Sequence, residues 1–194
     1  MTERDYLRQN LAGFENDSFA RDKMKQLITE NGIKTVIETG TYLGATTKHF
    51  ALWCKDVITI EVNQEHYLKA RKNLDKTKVN QYLGSSEKVL DSILEVIDKE
   101  GIFFFLDAHW NVYNPLLDEL AVIAKYKIKP IIAIHDFKVP HHPELGFDSY
   151  GDIVYEWSWI KPSIEKIYGK DGYSIEYNSE ATGAKRGIIY ITPT

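Results

Sequence analysis

Residues able to do chemistry stand in this sequence directly after short apolar runs. Asp107 and His109 follow Ile102-Phe103-Phe104-Phe105-Leu106, and His135-Asp136 follows the run from Pro130 to Ile134. Imidazoles titrate near neutrality, so either histidine could accept a proton with little tuning. Upstream, Glu38-Thr39-Gly40-Thr41-Tyr42-Leu43-Gly44 sets two glycines in a turn after a β-branched run. Such a turn lets backbone approach a ligand closely and aim N–H groups at it. Its spacing, E-x-G-x-x-x-G, departs from the G-x-G-x-x-G fingerprint, in which a pyrophosphate rests on a helix N-terminus with almost no side chain between. Glu61 and Ser85-Ser86 close two further runs.

The elements around these residues must gather them. Asp17 is placed to cap a helix through Asn31, with Ala20, Met24, Leu27 and Ile28 on one face and Gly32 as its stop. Lys34 to Glu38, Val57 to Ile60 and Val79 to Leu83 read as strands, and Asn63 caps the helix from Gln64 to Lys76. Val89, Leu90, Ile93, Leu94 and Ile97 form the clearest helical face. Ile102 to Leu106 is apolar throughout, as a strand covered on both sides requires. Pro115 opens another helix, and Pro130 to Ile134 is a fifth strand. Beyond it, Phe137 to Asp152 is rich in His, Pro and Gly and reads as an irregular loop, a candidate lid. A helical region interrupted at Pro162 precedes two strands, Tyr173 to Tyr177 and Gly187 to Thr192, read as a hairpin.

Alternating strands and helices imply an α/β fold with a Rossmann-like, doubly wound, mostly parallel seven-stranded sheet ending in an antiparallel hairpin. Ligands of such sheets bind at the carboxyl ends of the strands. Glu38, Glu61, Ser85, Asp107, His135 and Asp136 all fall at those ends.

The 194 residues fit one domain, with 1–32 as a helical N-terminal extension and 137–152 as the lid. No apolar run is long enough for a membrane span, Met1 to Tyr6 lacks the apolar stretch of a signal peptide, and the single cysteine, Cys54, has no partner for an internal disulfide. A cytoplasmic location is the expectation. A formal net charge of −4 argues against long nucleic acid as a partner.

From about Ile33 to Pro140 the chain resembles the class I S-adenosylmethionine-dependent methyltransferases. The match rests on the acidic and glycine turn at Glu38, the acidic strand end at Glu61, and Ser85-Ser86 after the third strand. The segments Phe104 to Trp110 and Ala133 to Pro140 narrow it to the metal-dependent O-methyltransferases of the catechol and caffeoyl-coenzyme A type and, more loosely, the macrolide and sugar O-methyltransferases. This resemblance implies S-adenosylmethionine as cofactor, held by Glu38, Thr39, Gly40, Thr41, Gly44, Thr46, Glu61, Ser85, Ser86 and Asp107. Glu61 would accept both ribose hydroxyls, which a carboxylate can do. It further implies a divalent cation on Asp107 with one or both of His135 and Asp136, and a small hydroxylated acceptor such as a sugar, phenol or natural product. Carboxylates suit Mg2+, and an added imidazole extends the choice toward Mn2+, Fe2+ or Zn2+. The lysine that these families carry after the strand-four aspartate is replaced in register by Trp110 and Asn111. His109, Asp107 and His135 are therefore the candidate catalytic residues, with His109 the first choice as base.

A nicotinamide-dependent oxidoreductase shares the sheet but not the glycine spacing. A non-catalytic nucleotide-binding domain would need no Asp107, His135 and Asp136. An amino-group methyltransferase would show an Asn/Asp-Pro-Pro-aromatic segment, which Asp107-Ala108-His109-Trp110 is not. Tyr150, Trp157 and Trp159 could line an acceptor pocket or a subunit contact, which leaves a homodimer open. Adjacent His141 and His142 read as loop residues, because neighbouring side chains on an extended segment point apart.

Overall fold

The computed structural model describes residues 13–109 and 113–194; the expectations placed on Met1 to Tyr6 and on Trp110 and Asn111 lie outside these residues. After a short 3-10 turn at Phe14–Asn16, the elements are α1 (Ser18–Glu30), β1 (Thr35–Thr39), α2 (Ala45–Trp53), β2 (Asp56–Glu61), α3 (Gln64–Asn73), β3 (Val79–Leu83) and α4 (Ser86–Val96). There follow β4 (Ile102–Leu106), α5 (Leu116–Lys125), β5 (Ile131–His135), β6 (Ser149–Tyr150), β7 (Ile153–Val154), α6 (Trp157–Tyr168), β8 (Tyr173–Tyr177) and β9 (Ile188–Pro193). The caps expected from sequence form. Asp17 accepts the N–H groups of Phe19 and Ala20, and Asn63 those of Glu65 and His66.

Seven strands make one sheet in the order β3-β2-β1-β4-β5-β9-β8. Pairings from β3 to β5 are parallel, while β9 runs antiparallel to both β5 and β8. The result is a Rossmann-like doubly wound sheet whose C-terminal hairpin inserts its last strand beside β5. Alternation along the strands divides the core. Ile37, Phe104 and Ile132 face α4, α5 and α6, whereas Val36, Phe103 and Phe105 face α1 and Phe50 of α2.

Two local readings differ. The segment from Phe137 to Asp152 is not wholly irregular, because Ser149 and Tyr150 pair with Val154 and Ile153 across a turn that has Gly151 at φ +60°. Nor is the last helix interrupted, since Pro162 lies inside α6. Proline in a helix interior costs about 3 kcal/mol, but Ile160, Ile164, Ile167 and Tyr168 of this helix are buried. Each such side chain returns roughly 1.5–3 kcal/mol on burial, so packing holds the helix across the proline. No helix among the described residues is long and apolar enough to cross a membrane.

Register positions the site. Thr39 pairs with Ile60 on one side and Leu106 on the other, and Leu106 pairs with Ile134. The next residue on each strand, Gly40, Glu61, Asp107 and His135, therefore falls in one row across the carboxyl edge. The strand order reverses between β1 and β4, which opens a crevice at that point of the row.

Candidate functional site

A cavity of about 470 Å³ occupies the crevice, within the range of small-molecule sites. Its wall includes Glu38, Gly40, Thr41, Thr46, Glu61, Ser86, Asp107, His109, His135 and Asp136. Three residues anticipated from sequence are not part of that wall: Thr39, Gly44 and Ser85. Thr39 is fully buried and its carbonyl accepts the Asp107 N–H. Gly44 is the αL residue before α2, where an added side chain would press on Leu74 at 3.1 Å. Ser85 is the residue preceding α4.

At one end of the cavity the Glu61 carboxylate is buried and fixed. Its two oxygens accept the Tyr42 and Asn63 N–H groups, each at 2.8 Å, which leaves each oxygen a free lone pair. Gly40 sits at φ +85°, and a Cβ there would lie 2.2 Å from the Asp107 carbonyl oxygen. Its missing side chain thus lets the first turn close against the strand-four backbone, and backbone atoms rather than a side chain form the cavity wall there.

Glu38 has a different environment. Thr47 and Thr59 donate hydroxyl bonds to the same carboxylate oxygen, and Thr41 joins the chain through Thr59 at 2.6 Å. Burial pushes the Glu38 carboxyl up to about 8, against the lowering effect of those two hydroxyls. A raised carboxyl pKa means that the folded chain binds an extra proton between about 4.5 and 8, so Glu38 makes stability fall as pH rises through that window. The slope from one proton is at most about 1.4 kcal/mol per pH unit. Glu38→Gln should flatten this slope in urea melts taken from pH 5 to pH 8; an unaltered slope would mean that Glu38 is ionised throughout.

The other end gathers the acid and imidazole side chains. His135 Nδ1 lies 3.3 Å from both Asp107 Oδ1 and Asp136 Oδ2, and His109 Nε2 lies 3.6 Å and 3.9 Å from the same atoms. Both ring nitrogens are buried and neither has a hydrogen-bond partner among the described residues. Burial alone would lower His135, but the Asp136 and Asp107 carboxylates hold it well above its ordinary value. His109 is likewise raised despite burial, through its hydrogen bond to Asp148 and the nearby Asp107 and Asp136. That bond, Nδ1 to Asp148 Oδ2 at 3.0 Å, leaves Nε2 to face Asp107 and Asp136.

These donors fit a divalent cation. Atoms coordinated about 2.1 Å from one ion lie roughly 3.0–3.4 Å apart, depending on whether the site is octahedral or tetrahedral. The His135–Asp107 and His135–Asp136 spacings fall in that range, and an ion would engage the unpartnered Nδ1.

Several participants carry little signal in sequence. Arg186 donates from Nε to Asp136 and from a terminal nitrogen to Asp148, so each carboxylate keeps its other oxygen for the histidines. Tyr150 also donates to Asp148, at 2.6 Å, while Trp157 and Trp159 pack on Tyr173 and Tyr155 instead of lining the cavity. Tyr113 accepts the Ser86 N–H and joins the wall. Glu15 enters from the N-terminal turn. His142 bonds Glu144 at 2.9 Å, and His141 is exposed; neither lines the cavity.

No family model matches the sequence, and no match was found among curated proteins. Solved structures do match. A caffeoyl-CoA O-methyltransferase candidate from Staphylococcus aureus superposes with a TM-score of 0.63 at 19% identity, covering 97% of this chain and 90% of its own. The O-methyltransferase from Bacillus cereus in complex with SAH gives 0.67 at 19% identity, covering 98% and 88%. The SAH-bound Podospora anserina methyltransferase PaMTH1 gives 0.57 at 14%, covering 90% and 78%. The chain shares the fold of these methyltransferase structures.

Proposed function

We propose that the protein is an S-adenosylmethionine-dependent methyltransferase that methylates a hydroxyl of a small acceptor, such as a sugar, phenol or natural product, with the help of a divalent cation. One observation carries the reading: the buried Glu61 carboxylate and the Asp107, His135 and Asp136 cluster open into the same cavity, at opposite ends of the row set by strand register. SAH bound in two of the matched folds supports the cofactor assignment.

In this reading Glu61 accepts the cofactor's ribose hydroxyls on the lone pairs left free by Tyr42 and Asn63, and the backbone at Gly40 and Thr41 lies along the cofactor. Asp107, His135 and Asp136 would hold the cation, which when bound would lower the pKa of an acceptor hydroxyl. His109, its Nδ1 anchored on Asp148, turns Nε2 to the reaction end and receives the acceptor's proton.

Calorimetry with S-adenosylmethionine and, in parallel, NAD tests the reading. Heat with S-adenosylmethionine alone is expected; heat with NAD alone would replace it with the oxidoreductase reading. A screen of hydroxylated acceptors with labelled methyl donor, repeated after chelation, then identifies the acceptor and the need for a cation.

A further inference from the structure

Glu15 stands at the site for reasons that its position in the sequence does not announce. Phe14, Glu15 and Asn16 all have left-handed backbone, at φ 48°, 50° and 64°. For residues other than glycine this costs roughly 1–2 kcal/mol each. The turn persists because it is held from several directions. Phe14 is buried, with its ring stacked on Trp53 and edge-on to Phe50 and Phe105, and its N–H donates to Thr46 at 3.0 Å. The Ala184 N–H donates to the Glu15 carbonyl, and Gly183 passes so close that a Cβ there would lie 2.2 Å from that oxygen.

The outcome of this strained turn is a carboxylate aimed inward. Glu15 lines the cavity, and its Oε2 is buried without a hydrogen-bond partner among the described residues. A carboxylate oxygen in that condition costs several kcal/mol unless a cation or donor meets it. Its neighbours are His135 and Asp136, whose ligand atoms lie within 4.8 Å of one another and of a Glu15 oxygen. His135 is only 4% exposed, and its Nδ1 is likewise unpartnered. Two carboxylates and an open ring nitrogen converging from the N-terminal turn and β5 have a shared need that one positive ion would meet.

We infer that Glu15 is a further ligand of the cation held by Asp107, His135 and Asp136, so that loading the cation also pins the N-terminal turn against the cavity. This rests on the cation reading above and adds a ligand from outside the sheet. Because the turn carries Gly13, Phe14 and Glu15 into the wall, the cation becomes a fastener between that wall and the strand ends.

Manganese titrations followed by electron paramagnetic resonance test this on the full chain, with S-adenosylhomocysteine affinity measured separately by calorimetry without metal. Glu15→Gln should weaken Mn2+ by at least about tenfold, as should Asp107→Asn. Glu15→Asp, which draws the carboxylate back by one methylene, should weaken it too and serves if the glutamine variant melts early. Amide exchange at residues 13–16 should slow on adding Mn2+ in the wild type and not in Glu15→Gln. Wild-type Mn2+ affinity in the Glu15 variants, beside a loss in Asp107→Asn, would overturn the inference and leave the cation site standing. Weakened S-adenosylhomocysteine binding with unchanged Mn2+ affinity would overturn it as well, assigning Glu15 to the cofactor. Absence of Mn2+ binding by the wild type would remove the cation and this inference together, while the calorimetry still decides the cofactor.

Discussion

Glu61→Ala is expected to weaken S-adenosylhomocysteine binding by at least about 100-fold, measured by calorimetry. Two charge-assisted hydrogen bonds to ribose would be lost, each worth about 1.5 kcal/mol or more, and about 1.4 kcal/mol corresponds to a tenfold change. The variant also strips the acceptor from the Tyr42 and Asn63 N–H groups, so part of its loss would come from a loosened turn. Glu61→Gln separates the two effects. An amide fills the same space and keeps one carbonyl oxygen, so its affinity should fall between those of the wild type and the alanine variant, with melting close to wild type. Undiminished binding in both variants would mean that Glu61 only braces the backbone, and the cofactor assignment would lose its main support.

Asp107→Asn should leave that affinity within about threefold and lower turnover by about 1000-fold, equivalent to about 4 kcal/mol of transition-state stabilisation. The substitution preserves volume but removes the charge that faces both His135 Nδ1 and His109 Nε2. Cation affinity and the setting of both imidazoles would change together, which is why the expected loss exceeds that of a single hydrogen bond. Stopped-flow measurement of one turnover with saturating cofactor reads the chemical step directly. Normal turnover would take Asp107 out of the reaction, whatever the cofactor affinity.

The sheet is legible in the sequence because its physics is local. An unbroken apolar run such as Ile102 to Leu106 is a strand buried on both faces, and Asp17 and Asn63 announce their helices by the bonds that their short side chains can make. The strand-end residues follow from topology, and all of Glu61, Asp107, His135 and Asp136 meet in one cavity. What escapes is contributed by long-range contacts. Arg186 lies 50 residues from Asp136 along the chain, and no spacing rule links a loop arginine to a strand-end aspartate. Glu15 is hidden for a related reason: of its turn only Gly13 hints at left-handed backbone, and the residues that hold the turn come from α2 and the 182–184 loop. Thr39, Gly44 and Ser85 lie close to the cavity in sequence but outside its wall: Thr39 is buried in the sheet, Gly44 abuts Leu74, and Ser85 precedes α4. Pro162 marks the limit of a breaker rule when four large side chains on one face are already committed to the core.

The Arg186 bridge bears on how this protein could be re-engineered or could diverge. The guanidinium joins Asp136 at the sheet to Asp148 in the following loop, while the Gly187 N–H donates to the Gly146 carbonyl beside it and a Cβ at Gly146 would strike the arginine. Loop and hairpin therefore form one inheritable cassette. Replacing 137–152 alone would remove Asp148, which is both one of the two acids on the Arg186 guanidinium and the anchor of His109, so a workable graft keeps an acid at 148 and carries the 182–187 turn with it.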